Sequence, residues 1–490
     1  MALALMSVII SGALVATWQI ERWTLNASLS HLALNQIIEE IQLSSESTAL
    51  DFYAVDDFDV HVQADLRALP ATASECQLVA CFSKQRIVHD ISSCARSINF
   101  QRTWRSNGGA TSSIELSSSF IQYEDVIARG GDCVTRAFPS SWGKGQIDVV
   151  ATVVAAAQFT TAIDSVGDYA YVVASSSPQV RIYKRTDNNN LALVGVTSGD
   201  GRRINALDVV RDIPSGRVYA YVMYHSSTSQ LGVFDVTDPT APQLLTTRSL
   251  GGANPAGSFP QGWRVLIYGD RLYALTRETM GQELHVFSLT NPETPTELVS
   301  GRFELSRTVN DLAVMERLVG GVVRRYLILA ASSNLKEVSV VDVTSGVPRE
   351  VSAINLPGNS NALSLHSDGK MVYVGREAVT GGPELYKFLL TDMVAGIYRV
   401  IASSEVGSPV GSLRGVGEFL FLSVTKLPSE VQIWSTDVRL WSTTTQNSAR
   451  LSRYVQPGLV PAALDNGAGS VYVLTQSAIA PELVIALQPL

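Results

Sequence analysis

Residues 221–237 read YVMYHSSTSQLGVFDVT. Two apolar runs flank a polar turn, which is typical of a hairpin whose two strands are both buried. The pattern occurs seven times between residues 171 and 490, and the second run starts, in steps of 46 to 54 residues, at Val180, Leu231, Leu284, Val338, Leu385, Val431 and Leu483. We infer an internal repeat with a period near fifty residues.

Each repeat has room for two more short strands. Residues 205–209 (NALDV) and 310–314 (NDLAV) precede a hairpin, and residues 243–247 (QLLTT) follow one. Four short strands in each of seven units are the signature of a seven-bladed β-propeller. A linear solenoid is the alternative, but its last repeat needs a polar cap, and the chain's final residues, ELVIALQPL, are too apolar for that role.

The last repeat ends after its third strand. Residues 147–156 (IDVVATVVAA) form an extra strand-like run that belongs to no repeat. Pairing this run with the last repeat would join the two ends of the ring and satisfy an open sheet edge. We therefore place the propeller at residues 146–490, with residues 146–157 as its closing strand.

Three repeats share a characteristic ending. It reads VFDVTDPTAPQLL at 233–245, VFSLTNPETPTELV at 286–299 and VVDVTSGVPREV at 340–351. These endings resemble the LVIVD-type propeller repeat of bacterial surface proteins. The resemblance implies seven blades and an extracellular location, and it implies no single activity.

Composition limits the classes of partner. The chain has 37 Lys plus Arg and 45 Asp plus Glu, a net charge of −8, which gives no general basic field for nucleic acid. Charged residues make up 17% of the sequence, against about 25% in ordinary soluble domains, and 46% is hydrophobic. The sequence therefore predicts an ordered protein that does not bind nucleic acid.

All four cysteines lie close together, at Cys76, Cys81, Cys94 and Cys133. An even, clustered set is typical of a small domain stapled by disulfides in an oxidising compartment. Their spacing contains no CxxC, which disfavours zinc, and free buried thiols are the remaining alternative. The sequence leaves the pairing open.

Residues 2–20 carry no charge and reach the length of a membrane-spanning helix. The helical pattern continues as an amphipathic stretch to about residue 43. The predicted membrane and filament contacts are Leu3, Leu5, Val8, Ile9, Ile10, Leu14 and Val15.

This stem resembles the N-terminal helix of type IV pilins and pseudopilins, most clearly at residues 2–12 (ALALMSVIISG). The resemblance implies a helix at 1–50 that leaves the membrane to join a filament, and a small β-rich head at 51–145. The family's basic leader and cleavage site do not precede residue 2, so we expect the true start to lie upstream of Met1. A generic single-span anchor is the alternative. Within the head we predict strands at 52–62, 77–82, 98–104, 114–116 and 120–123.

Motifs of catalysis are missing from the sequence. There is no HExxH, GxSxG or P-loop, and the histidines at 31, 61, 89, 225, 285 and 366 are scattered. Asp56, Asp57 and Asp59 lack the glycine and distal glutamate of an EF-hand loop. We expect no enzymatic activity, no cofactor and no metal.

Aligning the repeats places one group of side chains where the innermost strands begin, at one mouth of the channel: Thr161, Asn205, Trp263, Asn310, Asn361 and Ser412. These residues are candidates for ligand binding, although the asparagines could instead bond local backbone where one blade passes to the next. Arg202, Arg203 and the loop at 251–262 share that face and suit a glycan or protein partner.

The sequence therefore predicts an α+β pilin-like stem and head followed by an all-β propeller. We expect a subunit that is inserted in the cytoplasmic membrane and then built into an extracellular filament, where it binds other subunits through its helix and a surface, protein or glycan ligand through its propeller. A singly anchored periplasmic propeller scaffold is the main alternative, and a propeller enzyme is a weaker one.

Overall fold

The computed structural model describes three strands at 82–92, 95–105 and 111–121, and then residues 147–489. Short gaps interrupt the second part, at 156–159, 187–189, 199–200, 213–214, 227, 251–260, 278–280, 320–321, 368–370, 379–381, 417–418, 426–429, 437–440, 442–448, 456–459, 468–469 and 477–480. The predicted stem at 1–50, most of the head and all four cysteines lie outside the described residues.

The first compact unit contains an antiparallel sheet of three strands in the order β1-β2-β3. Its strands are β1 (Phe82–Ser92), β2 (Ala95–Arg105) and β3 (Thr111–Ile121). The segment predicted as a strand at 98–104 lies within β2. The separate strands predicted at 114–116 and 120–123 are instead one strand, because the serine-rich segment between them stays in continuous register with β2 from Ala95↔Ile121 to Arg105↔Thr111.

The second unit holds seven antiparallel sheets of four strands, which is a seven-bladed β-propeller. This confirms the all-β part of the predicted fold, while the α+β stem lies outside the described residues. Each blade uses four consecutive strands except the seventh. Its first strand in the chain is β4 (Ile147–Val154).

Blade 1 consists of β5 (Thr160–Val166), β6 (Tyr169–Ala174), β7 (Val180–Arg185) and β8 (Leu191–Thr197). Blade 2 consists of β9 (Ile204–Arg211), β10 (Val218–Tyr224), β11 (Leu231–Asp235) and β12 (Gln243–Arg248). Blade 3 consists of β13 (Gly262–Tyr268), β14 (Arg271–Thr276), β15 (Leu284–Ser288) and β16 (Thr296–Phe303). Blade 4 consists of β17 (Thr308–Val319), β18 (Val322–Ser332), β19 (Val338–Asp342) and β20 (Arg349–Ile354). Blade 5 consists of β21 (Ala362–Ser367), β22 (Met371–Arg376), β23 (Leu385–Leu389) and β24 (Val400–Ser404), and helix α1 (Leu390–Val394) lies between β23 and β24. Blades 6 and 7 consist of β25 (Val410–Val416), β26 (Phe419–Val424), β27 (Glu430–Ser435) and β28 (Arg450–Val455); and β29 (Val460–Gly467), β30 (Ser470–Gln476), β31 (Leu483–Pro489) and β4.

The seventh blade joins the two ends of the ring. Strand β4 pairs antiparallel with β31, from Leu483↔Val154 to Pro489↔Ile147. The last repeat therefore receives its outermost strand from residues that precede the first repeat. This pairing removes the open edge that a three-stranded last blade would leave.

The core lies between the blades. One cluster packs Tyr171, Val173 and Ile182 of blade 1 against Ala220 and Val222 of blade 2, and the other clusters repeat this arrangement around the ring. Every residue of β10 is buried. Because both faces of each middle strand are covered, these strands are continuous apolar runs instead of alternating ones.

One polar residue recurs directly before the first apolar residue of the third strand of every blade, and it is buried each time: Gln179, Gln230, Glu283, Glu337, Glu384, Glu430 and Glu482. The Glu384 carboxylate accepts the backbone N–H groups of Val406 at 2.8 Å and Gly407 at 3.0 Å. Glu283, Glu337 and Gln230 make the corresponding bonds to Leu305, Leu356 and Leu250. In these four blades the buried glutamate or glutamine therefore holds the segment that crosses to the next blade.

The same contact also links the ends of the ring. Thr160 begins blade 1, and both its backbone N–H (2.7 Å) and its hydroxyl (2.5 Å) donate to the carboxylate of Glu482, 322 residues away. The chain itself passes from β4 of blade 7 to β5 of blade 1, so the bond to Glu482 holds this crossing in the same way as the corresponding bonds hold the others.

We predict that Glu384→Ala lowers the free energy of unfolding by about 2 kcal/mol or more, because two buried N–H groups lose their acceptor at about 1–3 kcal/mol each. Glu384→Gln should cost much less, since Gln230 makes the same type of bond in blade 2. Thermal unfolding of the purified full-length variants measures the difference. Equal loss in the alanine and glutamine variants would contradict the proposed acceptor role.

Candidate functional site

The innermost strands of all seven blades carry an irregularity at the same place near one end of the channel. In each strand one residue is passed over in the pairing with the second strand: Thr161, Asn205, Trp263, Asn310, Leu363, Gly411 and Ala462. Such a β-bulge redirects a side chain away from the regular alternation. Four of the six candidates from the sequence occupy this position. Asn361 lies two residues before it and Ser412 one residue after it.

Three of the bulge side chains bond to the next blade. Thr161 Oγ1 donates to the carbonyl of Ile204 at 2.8 Å, Asn205 Nδ2 to that of Gly262 at 2.6 Å, and Asn310 Nδ2 to that of Ala362 at 2.7 Å. These hydrogen bonds therefore connect the innermost strands of neighbouring blades at the mouth.

The two remaining polar candidates have partners of other kinds. Asn361 Nδ2 donates to the Glu377 carboxylate at 3.1 Å, and Ser412 Oγ accepts the N–H of Leu464 at 3.3 Å. Trp263 differs from all of these, because its contacts are with cations.

Trp263 lies in a group of basic residues on blades 2 and 3, which we call the mouth cluster: Arg202, Arg203, His225, Trp263, Arg264 and Arg277. The guanidinium carbon of Arg277 lies 4.4 Å from the Trp263 ring centroid, and that of Arg264 lies 4.9 Å from it. Arg202 lies 5.0 Å above the ring of Tyr224. These distances are typical of cation–π contacts.

Close packing of blades 2 and 3 positions the mouth cluster. A Cβ atom on Gly262 would lie 2.7 Å from the carbonyl oxygen of Tyr224, so this position requires glycine for steric reasons. The next residue, Trp263, is thereby held at the blade interface. Backbone bonds from Arg277 to Gln261 at 3.0 Å and from His225 to Arg203 at 2.8 Å fix the adjoining turns.

The cationic side chains of the mouth cluster are close enough to act on one another's pKa. Burial lowers the pKa of His225, and the cationic side chains of Arg203 and Arg277 lower it further. Burial also lowers the pKa of Arg264, with Arg414 and Arg277 adding to the effect and Asp311 opposing it. A site of this kind favours an anionic ligand.

Carboxylates line the innermost strands further along the channel. Asp164 accepts the N–H of Val209, Asp208 accepts that of Ile267, and each bond reaches the innermost strand of the next blade. Asp311 accepts the N–H of Leu365 at 2.8 Å in the same way. These aspartates satisfy strand edges that face the channel.

The channel carboxylates also interact with one another. Burial raises the pKa of Asp208 to about 7, with a further contribution from Asp465, while the N–H of Ile267 opposes the rise. Burial likewise raises the pKa of Asp164 well above its usual value, and Asp465 and Asp208 raise it further. Asp465 accepts the hydroxyl of Ser165 and lies 3.8 Å from the guanidinium of Arg414.

Sequence reasoning missed these aspartates, although a signal was present. Asp164, Asp208 and Asp465 each follow alanine and a branched apolar residue, as AID, ALD and ALD. The buried glutamate and glutamine residues were missed as well, although each directly precedes the apolar start of a third strand. Both sets could have been found by comparing the repeats position by position.

The other sequence candidates lie apart from the mouth cluster. His285 contacts Glu297 at 2.7 Å, and His366 stacks on Tyr373. Residues 251–260 of the predicted binding loop are outside the described residues. Within the described ranges, no group of three or more His, Cys, Asp or Glu side chains is arranged to bind a metal ion. No helix in that part of the chain is long and apolar enough to span a bilayer.

The comparisons with known proteins concern the fold. No protein-family model and no curated protein matches the sequence. Similar solved structures include that of the mitotic checkpoint complex (11% identity, 69% of this chain and 90% of that chain, TM-score 0.46) and that of Saccharomyces cerevisiae Sqt1 (8%, 69% and 98%, 0.46). A protein from Lactobacillus plantarum is similar at 11% identity over 73% of this chain and 95% of that chain, with a TM-score of 0.46. The resemblances to pilins and to LVIVD repeats stay predictions from sequence.

We predict that the contribution of Asp208 to the stability of the propeller falls as pH rises from about 4 to about 7. The folded-state pKa of Asp208 lies above the unfolded value, so its contribution is fully present below about pH 4 and is lost as Asp208 ionises in the folded state. Asp208→Asn, which keeps an acceptor for Ile267, should flatten this dependence and raise the melting temperature at pH 8 by about 2 °C or more.

Asp238→Asn is the matched control for this measurement. Asp238 lies in an exposed turn, where hydrogen bonds to the hydroxyl and the N–H of Thr240 lower its pKa. Its titration is therefore complete below pH 5, and the slope of stability between pH 5 and 8 should not change. A wild-type slope equal to that of Asp208→Asn would show that Asp208 does not titrate in this range.

Proposed function

We propose that this chain is a pilin-like filament subunit that displays a β-propeller for adhesion, with the mouth of the propeller as its partner-binding face. The filament part rests on the sequence: an uncharged run at 2–20 that continues as an amphipathic helical pattern to about residue 43. The subunit would enter the cytoplasmic membrane first and then become extracellular as part of the filament.

The observation that carries the binding role is the contrast between the mouth cluster and the rest of the channel. Elsewhere around the mouth, side-chain donors are already hydrogen-bonded to the neighbouring blade, as in Thr161, Asn205 and Asn310. Arg277 instead contacts the Trp263 ring, and Arg277 and Arg203 both act on the pKa of His225. Arginine and aromatic residues are the types that dominate binding energy at protein interfaces.

The channel carboxylates favour a binding role over a catalytic one. Asp164, Asp208 and Asp311 each accept a backbone N–H of the adjacent blade, so their oxygens already have a structural task. We propose that the protein is not an enzyme and needs no cofactor. Other copies of the subunit and one surface, protein or glycan ligand would be its partners.

A singly anchored periplasmic scaffold is the second candidate, because the same apolar run would also serve as a simple membrane anchor. Shear fractionation of cells separates the two roles. We predict that the wild-type chain appears in sheared appendages and that electron microscopy shows propeller-sized density on them.

The matched variants for this experiment lie in the stem. Ile9→Asp places a charge in the apolar run and should abolish filament incorporation, since a charge at the centre of a membrane helix costs about 3 kcal/mol. Ser30→Asp alters a polar position of the amphipathic stretch and should leave incorporation intact. A wild-type chain found only in the membrane fraction would establish the scaffold role instead.

A further inference from the structure

The mouth cluster has the chemistry of a site for carboxylates. We propose that it binds an acidic segment of a polypeptide partner, with guanidinium groups pairing with aspartate or glutamate side chains and the Trp263 indole N–H donating to a partner oxygen. This inference rests on the proposed function, in which the mouth is the partner-binding face. Three observations support it.

The first observation is that two arginines of the mouth cluster have no carboxylate partner within the described residues. Several arginines elsewhere in the propeller have carboxylate partners, as in Arg302–Glu297, Arg307–Glu350 and Arg325–Glu316. Within the described residues Arg203 and Arg277 are exposed and form no ion pair, whereas Arg264 donates to the carbonyl of Asn310. Planar guanidinium groups match carboxylates in a two-bond geometry, so an acidic side chain is the ligand that best complements them.

The second observation is a pair of buried polar atoms at the same place. Trp263 Nε1, a donor, and Gln261 Oε1, an acceptor, are buried, and neither has a hydrogen-bond partner in the described part of the chain. A buried polar atom without a partner is costly, so a ligand that supplied the missing hydrogen bond would gain affinity. A peptide carries a carbonyl and an N–H in every ordinary residue and could satisfy both atoms.

The third observation separates a polypeptide from a glycan. Two guanidinium carbons already lie within 5 Å of the Trp263 ring centroid, at 4.4 and 4.9 Å. A sugar ring that stacked on the indole would compete with these cations for it. An acidic side chain instead reaches the cations themselves and leaves the stack in place.

The net charge of the chain makes a specific test possible. At −8 the whole molecule repels an acidic polymer at long range, so binding must depend on the local cluster. An arginine elsewhere on the propeller should therefore not substitute for one in the cluster. Arg211, which is exposed at the other end of the strand that follows Arg203, provides the matched control.

The experiment uses the full-length chain in detergent and follows fluorescence polarisation of labelled poly-L-glutamate, with polygalacturonate as the polysaccharide probe. We expect salt-sensitive binding of poly-L-glutamate by the wild type. Arg203→Gln and Arg277→Gln should each weaken it about fivefold or more, as expected of hot-spot side chains. Trp263→Phe should also weaken it, because phenylalanine keeps an aromatic ring and loses the N–H, whereas Arg211→Gln should bind like the wild type.

Three results would overturn the inference: equal weakening by Arg211→Gln, binding of polygalacturonate without poly-L-glutamate, or binding of neither probe. Circular dichroism and melting of each variant confirm that the propeller is folded, so a folding defect cannot imitate loss of the site. Filament incorporation is measured separately by shear fractionation. Incorporation without polyglutamate binding would refute this inference alone, whereas binding without incorporation would refute the filament role alone.

Discussion

The propeller depends on buried side-chain oxygens that accept backbone N–H groups from the neighbouring blade. Glu384 holds the crossing into blade 6, and Asp164 and Asp208 hold the channel edges of blades 2 and 3. A sheet that ends at a narrow channel would otherwise bury N–H groups without partners. The apolar faces supply the bulk of the packing, and these oxygens fix how one blade sits against the next.

The contrast between apolar packing and single buried polar contacts explains how much of the fold could be predicted from the sequence. The seven hairpins were visible because their strands are buried on both faces and therefore appear as apolar runs, as in β10. The residues that accept N–H groups from the next blade were harder to predict. Each is a single polar residue among apolar ones, and several residue types make the same kind of hydrogen bond. Gln230 serves where Glu384 does, and Ser412 accepts an N–H where Asp311 does.

The candidate site was only partly predictable for a related reason. Thr161, Asn205, Trp263 and Asn310 share the bulge position, but the true equivalents in blades 5 and 6 are Leu363 and Gly411, not Asn361 and Ser412. A bulge shifts the register by one residue, and polarity alone does not reveal which residue is passed over. The role of Arg277 was also hidden, because its contact with Trp263 joins the turn after β14 to β13.

The ring therefore separates two kinds of polar residue. Those that face the next blade are hydrogen-bonded to its backbone, so their polar atoms are used within the fold. At the mouth, Arg203 and Arg277 are exposed and have no carboxylate partner among the described residues. This separation would allow the mouth to vary between related sequences without changing how the blades are held.

The pairing of β4 with β31 also has a consequence for biosynthesis. The ribosome makes β4 before any other strand of the ring and makes its partner last, and Thr160 and Glu482 are likewise 322 residues apart. Contacts of such high sequence separation form late. The apolar strand β4 must therefore remain unpaired throughout translation of the remaining blades, and this nascent edge is where a chaperone would be most needed.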